Sequence, residues 1–485
     1  MRQLTLAGVC LALLASAGPS AQDATAVVAD AARTMGVNGL RALTFAGNAA
    51  TGNFGQSRTI SFGLSSTSIP NYTRTIDFTR PASLATGTTN PPAIRGAAPP
   101  QPGTYLQSIT PADTAWAQQL QIWSTPWGFL IGATSHRPTM ELRTVDDVRY
   151  RVVSWTPDQK APSGAPYRLE GFISERNVVE QVDTWVEHPI LGDLHVETRF
   201  SNYQDVGGLM VPAQIRQRQA GMETFVVNLA SVRTNPDNLD ELMTPPAALR
   251  ANGAGGAAGA ATAPAVASDK LADGVYRITG GYVALAVEFK DYAVVIEAGQ
   301  DEARGLAILA ETRRLFPKKR IRYVVNTHAH FDHAGGLPPF VAEGITIITD
   351  DNGKYFLLPA LGSPRTLVGD ALAKSKKKPV IDGVEKKLVL RDATRTLELH
   401  HVEQLEHSDG MLIAHLPKER ILFTADFPLP VSGQPVHPFT AALIENINRL
   451  GLDFDRYVTV HAPSPDRPLT RTDLMGTVRN TGTER

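Results

Sequence analysis

The chain has 485 residues, more than one ordinary core accommodates, so two domains are expected. Its 47 basic and 48 acidic residues balance, which excludes the strongly basic surface that a nucleic-acid partner requires. The single cysteine, Cys10, excludes a disulfide within the chain and a thiolate metal cluster.

The N-terminus reads "MRQLTLAGVCLALLASAGPSAQ", with Arg2 ahead of an apolar stretch from Leu4 to about Ala17. That stretch is too short to span a bilayer comfortably and ends in small residues. Residues 1–21 are therefore expected to be a cleaved secretory signal, with Ala15-Ser16-Ala17 fitting the small-x-small cleavage pattern. Cys10 falls inside this signal, directly after the bulky Val9, which argues against a lipid anchor. The mature chain would then carry no cysteine, so any metal would be held by nitrogen and oxygen. No other segment is long and apolar enough to cross a membrane, and a periplasmic or secreted location is expected.

Residues 23–245 read as a mostly β domain. The runs Asn177–Val186, Asp193–Phe200, Val211–Gln219 and Thr224–Val232 are short, rich in β-branched or aromatic residues, and separated by turn signals such as Gly207-Gly208. Short connections imply an antiparallel meander with one wet face. Ala82 to Gly103, rich in Pro, Gly and Thr, reads as a long irregular loop. His136, His188 and His195 lack ligand spacing and read as ordinary surface or strand histidines. In pattern this half resembles the curved-sheet domains of periplasmic lipoprotein carriers. Residues 246–268 follow as a linker, since "ANGAGGAAGAATAPAVAS" offers no large apolar positions to pack.

From residue 270 to about 475 strand and helix signals alternate. "GYVALAVEF" and "YAVVIEAG" read as strands. Asp301–Phe316 reads as a helix, with acids in its first turn, apolar Leu306, Leu309 and Phe316, and basic residues near its end. Strands are expected at Ile321–Val325, Ile345–Thr349, Met411–Leu416, Arg420–Asp426 and Tyr457–His461, and a helix at Phe439–Leu450. The order predicts a layered α/β architecture.

Within it, "NTHAHFDHAGG" places His328, His330, Asp332 and His333 where a buried strand releases into a loop. His328 and His330 are two apart and point the same way in an extended segment. The segment therefore offers two imidazoles to one metal, and a carboxylate with an imidazole to a second. Zinc accepts both donor types. Further donors stand at other strand edges: His407 in "EHSDGMLIAHL", Asp426 ending "RILFTAD" and His461 ending "YVTVH".

HxHxDH followed in order by His407, Asp426 and His461 resembles the metallo-β-lactamase superfamily over about residues 270–475. The resemblance implies an αββα sandwich and two metals. His328, His330 and His407 would hold one, Asp332, His333 and His461 the other, with Asp426 bridging. Two zinc ions are expected, with iron and manganese as the other candidates. His330 stands where redox di-iron members have a glutamate, which favours zinc and hydrolysis. Glu297 stands where many members have an aspartate that orients ligands, and His461 precedes Ala462-Pro463 instead of the usual glycine.

The implied reaction uses a metal-bridging hydroxide, held in line by Asp332 as the catalytic residue, on a small molecule with a hydrolysable carbonyl. Ester, lactone, thioester and amide or β-lactam bonds all qualify. Substrate choice would rest with the loops around Gly280-Gly281, Tyr355–Lys378 and Phe427–His437. His400 and His401 are expected at the surface, His415 in packing, and His437 is a candidate for the cleft wall. The rival reading is a ligand- or lipid-binding protein whose β-rich half does the work while the metal site is structural or idle. Oligomeric state has no signature in the sequence.

Overall fold

The computed structural model describes residues 21–60, 63–110, 115–246 and 266–476. The predicted signal, apart from Ala21, and most of the predicted linker lie outside them.

The first half is built on an eleven-stranded, wholly antiparallel sheet. Strands Ala42–Gly52, Ser66–Asp77, Ala82–Thr89 and Gly103–Ile109 form one meander, and the seven from Thr139–Val145 to Met222–Thr234 form another. The two join where Ala42–Gly52 pairs with Met222–Thr234. Along Gly192–Val206 the period of two turns Leu194, Val196 and Phe200 inward and Asp193, His195 and Arg199 outward. The helices Ala21–Thr34, Trp116–Trp123 and Pro126–Ser135 close the apolar face, burying Met35, Trp116, Trp127 and Phe129.

One expectation fails here. Ala82–Thr89 is a strand and not part of an irregular loop; it pairs with Ser66–Asp77 on one edge and Gly103–Ile109 on the other. Its small residues have weak β preference, but ladders on both edges and burial of Leu84 and Ala85 override it.

The second half is a four-layer αββα sandwich. Its first sheet has seven strands, antiparallel from Ala267–Ala272 to Tyr292–Ile296 and parallel onward through Arg320–Val325, Thr346–Asp350 and Ile381–Val384. The second sheet has six strands, from Lys387–Arg391 to Leu469–Thr470. Val287, Val294 and Ile296 of one sheet meet Leu397, Leu399 and Leu412 of the other. Helices Glu302–Leu315, Leu337–Glu343 and Asp351–Leu361 cover the first sheet, and Pro438–Leu450 covers the second. In Glu302–Leu315 the buried stripe is Gly305, Ile308, Leu309 and Thr312, the i, i+3, i+4, i+7 spacing. Leu306 falls off that stripe and is exposed, against expectation.

The halves dock closely. The Asp193 carboxylate accepts from the amides of Thr366 at 2.9 Å and Leu367 at 2.8 Å. Arg365 donates to the carbonyls of Pro189 at 2.6 Å and Ile190 at 3.3 Å. This part of the expected substrate loop Tyr355–Lys378 is thus occupied in holding the β sheet. Ile60 and Ile190 join the core beneath the helices of the second half.

Candidate metal centre

Strand Arg320–Val325 delivers the chain to Asn326, whose amide donates to the His333 carbonyl at 3.2 Å and so folds the following loop back on itself. His330 precedes the single helical turn Phe331–Ala334 that carries Asp332 and His333. The turn is pressed against the 298–300 segment: a Cβ on Gly336 would lie 2.1 Å from the Ala298 carbonyl oxygen. Only glycine permits that approach. His407 follows strand Thr396–His401, Asp426 follows Ile421–Thr424, and His461 follows Arg456–Thr459. Asp426 and His461 are thus set two residues past the ends of buried strands, while His407 sits within the loop that joins Thr396–His401 to Leu412–Leu416.

All seven predicted residues meet in two groups, His328 with His330, His407 and Asp426, and Asp332 with His333 and His461. Asp426 stands between them. Its Oδ2 lies 2.8 Å from His407 Nε2 and 3.3 Å from His328 Nε2. Its Oδ1 lies 2.7 Å from His461 Nε2 and 3.0 Å from His333 Nε2. Each carboxylate oxygen thus serves one group. His328, His330 and His333 are fully buried, whereas the His461 side chain is 43% exposed and that of Asp332 27%. The centre opens on the Asp332–His461 side.

Hydrogen bonds behind the rings set the tautomers. His330 Nε2 lies 3.0 Å from the Ser57 carbonyl. A carbonyl only accepts, so Nε2 carries the proton and Nδ1 presents its lone pair to the centre. His333 Nδ1 lies 3.0 Å from Glu297 Oε2, which leaves Nε2 facing inward. Glu297 thus bonds a ring that the resemblance names as a ligand, and its Oε1 also accepts the Thr327 amide at 2.8 Å.

Burial and neighbouring imidazoles push His328 well down, and burial with His407 pushes His330 down to about 4, so both are neutral donors. Burial opposes charge on His333, but Glu297 and Asp426 raise it to about 10. Burial likewise opposes charge on Asp426, but the four imidazoles hold its carboxyl far below the usual range. His328 Nε2 faces His330 Nδ1 at 2.9 Å, nitrogen against nitrogen. His333 Nε2 and Asp426 Oδ1 are buried without a well-formed hydrogen bond. Imidazole nitrogens converging on a buried carboxylate suit a cation, so the donor set fits metal binding.

Two neighbours of Asp332 were not singled out from the sequence. The Tyr282 hydroxyl donates to its Oδ2 at 2.8 Å, and the Gln56 amide donates to its Oδ1. Burial opposes charge on Asp332, yet His333 with these donors keeps its carboxyl below the ordinary value. Tyr282 follows Gly280-Gly281, a pair already marked as loop; Gln56 carried no local signal. Arg304 is buried and donates to the carbonyls of Ile278, Thr279, Gly280 and Tyr282, which holds the Tyr282 loop in place.

Other histidines resolve differently. His437 packs on Phe439 at 4.5 Å, and Phe439 on His407 at 5.1 Å, so His437 lies one ring from the centre. His400 is not at the surface. It is 3% exposed and lies 3.0 Å from Glu398, its burial coming from contacts outside its own strand. His401, half-buried, lies 2.6 Å from Asp350. His415 is packed, with Nε2 on the Asp453 carbonyl at 2.9 Å. Glu398, His400 and His415 form a third cluster, but Lys387 already takes the second Glu398 oxygen at 3.0 Å. His136 stacks on Trp155, and His195 pairs with Asp183. His188 sits between the halves, against Phe54 and Phe331.

Residues 279–456 match the family model described as Metallo-beta-lactamase superfamily. Among curated proteins, 2,4-dinitroanisole O-demethylase subunit alpha of Nocardioides sp. (strain JS1661) is 25% identical over 207 residues, 41% of this chain. That match spans 58% of the relative's own length. A metallo-β-lactamase from Pontibacter korlensis is 17% identical, covering 43% of this chain and 95% of its own, with a TM-score of 0.33. One from Hirschia baltica is 20% identical, covering 44% and 96%, with a TM-score of 0.32. FIM-1 from Pseudomonas aeruginosa is 17% identical, covering 44% and 93%, with a TM-score of 0.32.

Proposed function

Residues 279–456 carry a metallo-β-lactamase superfamily domain, and from that premise we propose that the protein is an exported, dinuclear metal-dependent hydrolase acting on a small molecule. The observation that supports it best is Asp426, each of whose oxygens faces a separate pair of imidazoles. His328, His330, His407 and Asp426 would hold one ion, and Asp332, His333, His461 and Asp426 the other, with zinc as the assigned metal. When bound, such a pair supplies Lewis acidity and a water acidified towards neutrality.

The chain's own residues then divide the work. Glu297 and the Ser57 carbonyl keep the ring nitrogens in the donor tautomer. Tyr282 and Gln56 fix the plane of the Asp332 carboxylate, which orients the attacking water. Water adds to the carbonyl carbon, the bond to the leaving oxygen, sulfur or nitrogen breaks, and the leaving atom takes up a proton. Phe439 packs on His407 and His437 on Phe439, an aromatic surface beside that donor group suited to a substrate with an apolar or planar portion. The bond class is an ester, lactone, thioester or amide/β-lactam. Export is supported by the leader pattern of residues 1–21.

The test is metal content per chain beside an Asp426→Ala variant, followed by a substrate screen. Two zinc per wild-type chain, falling in the variant, supports the reading. A chain that stays empty in supplied zinc, iron or manganese overturns it. The screen should include lactones, thioesters, β-lactams and, given the demethylase relative, an aryl methyl ether such as 2,4-dinitroanisole.

A further inference from the structure

The β-rich half reaches into the metal centre. Segment Asn53–Thr59 leaves strand Ala42–Gly52 and meets residues 276 positions further along the chain. Gln56 donates to Asp332, and the buried Ser57 accepts from His330 through its carbonyl. Between them, the Gly55 carbonyl accepts the Phe331 amide at 3.0 Å. Gly55 has φ +81°, and a Cβ there would lie 2.1 Å from the Phe331 ring. Phe54 sets its ring edge-on to Phe331 at 5.1 Å.

The far end of the segment grips the loop that carries His407. Arg58 pairs with Glu406 at 2.9 Å and with Asp409, and the Arg58 carbonyl accepts the Asp409 amide at 3.0 Å. Within itself the segment is held by the Ser57 hydroxyl on the Asn53 carbonyl at 3.1 Å and the Gln56 amide on the same carbonyl at 3.2 Å. One short turn thus ties together two of the loops that supply donors, one from each sheet of the sandwich.

A tethered carrier domain has no need of such contacts, because its role requires only proximity. We propose that Asn53–Thr59 is a constituent part of the active site, with Gln56 the positioning residue for Asp332 and the Ser57 backbone the positioning group for His330. The β-rich half completes the hydrolase; the sandwich alone has an unfixed His330 ring and one free Asp332 oxygen. This assignment rests on the dinuclear reading above.

The experiment uses the full chain loaded with Co²⁺, comparing wild type with Gln56→Leu, which has similar length and no donor. Gln56 is part-exposed, so the leucine variant is expected to keep the wild-type melting temperature. The expected result is a shifted cobalt absorption spectrum, metal affinity weakened at least tenfold for one ion of two, and kcat lowered about tenfold or more with KM little changed. Gly55→Ala, which displaces the segment, is expected to alter the spectral contribution of both ions. A cobalt spectrum, affinity and kcat in Gln56→Leu identical to wild type overturn the assignment while leaving the metal reading intact. A wild-type chain that takes up no cobalt overturns the metal reading itself and this assignment with it.

Discussion

Glu297 and His333 form a wholly buried pair, Oε2 to Nδ1 at 3.0 Å, each with none of its side chain exposed. Glu297 also has φ +73°, a left-handed backbone that a glutamate seldom adopts. The strain is held in place because Glu297 bonds both His333 and the Thr327 amide, linking its own strand to the donor loop. Replacing Glu297 with Gln removes the anion that keeps the His333 proton on Nδ1. We expect affinity for one metal ion to fall about 10- to 100-fold, and Glu297→Asp to recover part of it. Titration with a chromophoric chelator measures this, and wild-type affinity in Glu297→Gln would rule out an orienting role.

Arg304 is the keystone of the Tyr282 loop. Replacing it with Met keeps most of the length but strips donors from the carbonyls of Ile278, Thr279, Gly280 and Tyr282. Unsatisfied buried carbonyls cost about 1–3 kcal/mol each where water cannot reach them. A total loss of about 2–4 kcal/mol is expected, because the loop relaxes towards solvent. Urea unfolding checks it; a change below about 0.5 kcal/mol would show that the cage is dispensable. Tyr282 should move with the loop, so Tyr282→Phe is expected to reproduce any loss of activity without the loss of stability.

Metal binding and folding should be linked through the same donors. The seven residues come from both sheets, so ions bound to the native chain and not to the unfolded one raise its stability. The gain is about 4 kcal/mol at a thousandfold excess over the dissociation constant. A chelator should therefore lower the melting temperature of wild type by several degrees, and added zinc should restore it. Asp426→Ala should respond far less. Equal responses from both proteins would place the stabilising ion elsewhere.

How much of this was readable beforehand follows from the range of each interaction. His328, His330, Asp332 and His333 are adjacent in sequence, Asp426 and His461 stand just past strand ends and His407 in the loop before a strand, so local pattern and order sufficed to pick them out. Glu297 was reachable for the same reason, through its position after a buried strand. Gln56 was not, because its partner is 276 residues away and nothing in "GNFGQSR" marks it as facing a carboxylate. His400 was misplaced because it shares a face with the part-exposed Thr396 and Glu398, and its burial there comes from contacts that its own strand does not show. Ala82–Thr89 was misread because its neighbours supply what its own side chains do not.

His188 gives the docked halves a pH dependence. Its Nδ1 accepts the amides of Ile190 and Leu191, both at 3.1 Å, while the ring packs on Phe331 at 4.7 Å. Burial, then the nearby Arg365, pushes it down from 6.5 to about 4. Protonation would abolish both acceptor bonds and set a cation beside Arg365. Between pH 6.5 and about 4 the unfolded chain binds a proton that the folded one refuses, so stability is complete above pH 6.5 and falls as the pH drops. The loss is about 1–3 kcal/mol after allowance for solvent screening. His188→Asn keeps an acceptor for the two amides without a titrating group. Acid also protonates the metal donors, but equally in both proteins, so the difference between their melting curves from pH 7.5 to 4.5 isolates His188. Wild type is expected to lose more stability than His188→Asn over that range, and parallel curves would assign the acid sensitivity to the metal centre alone.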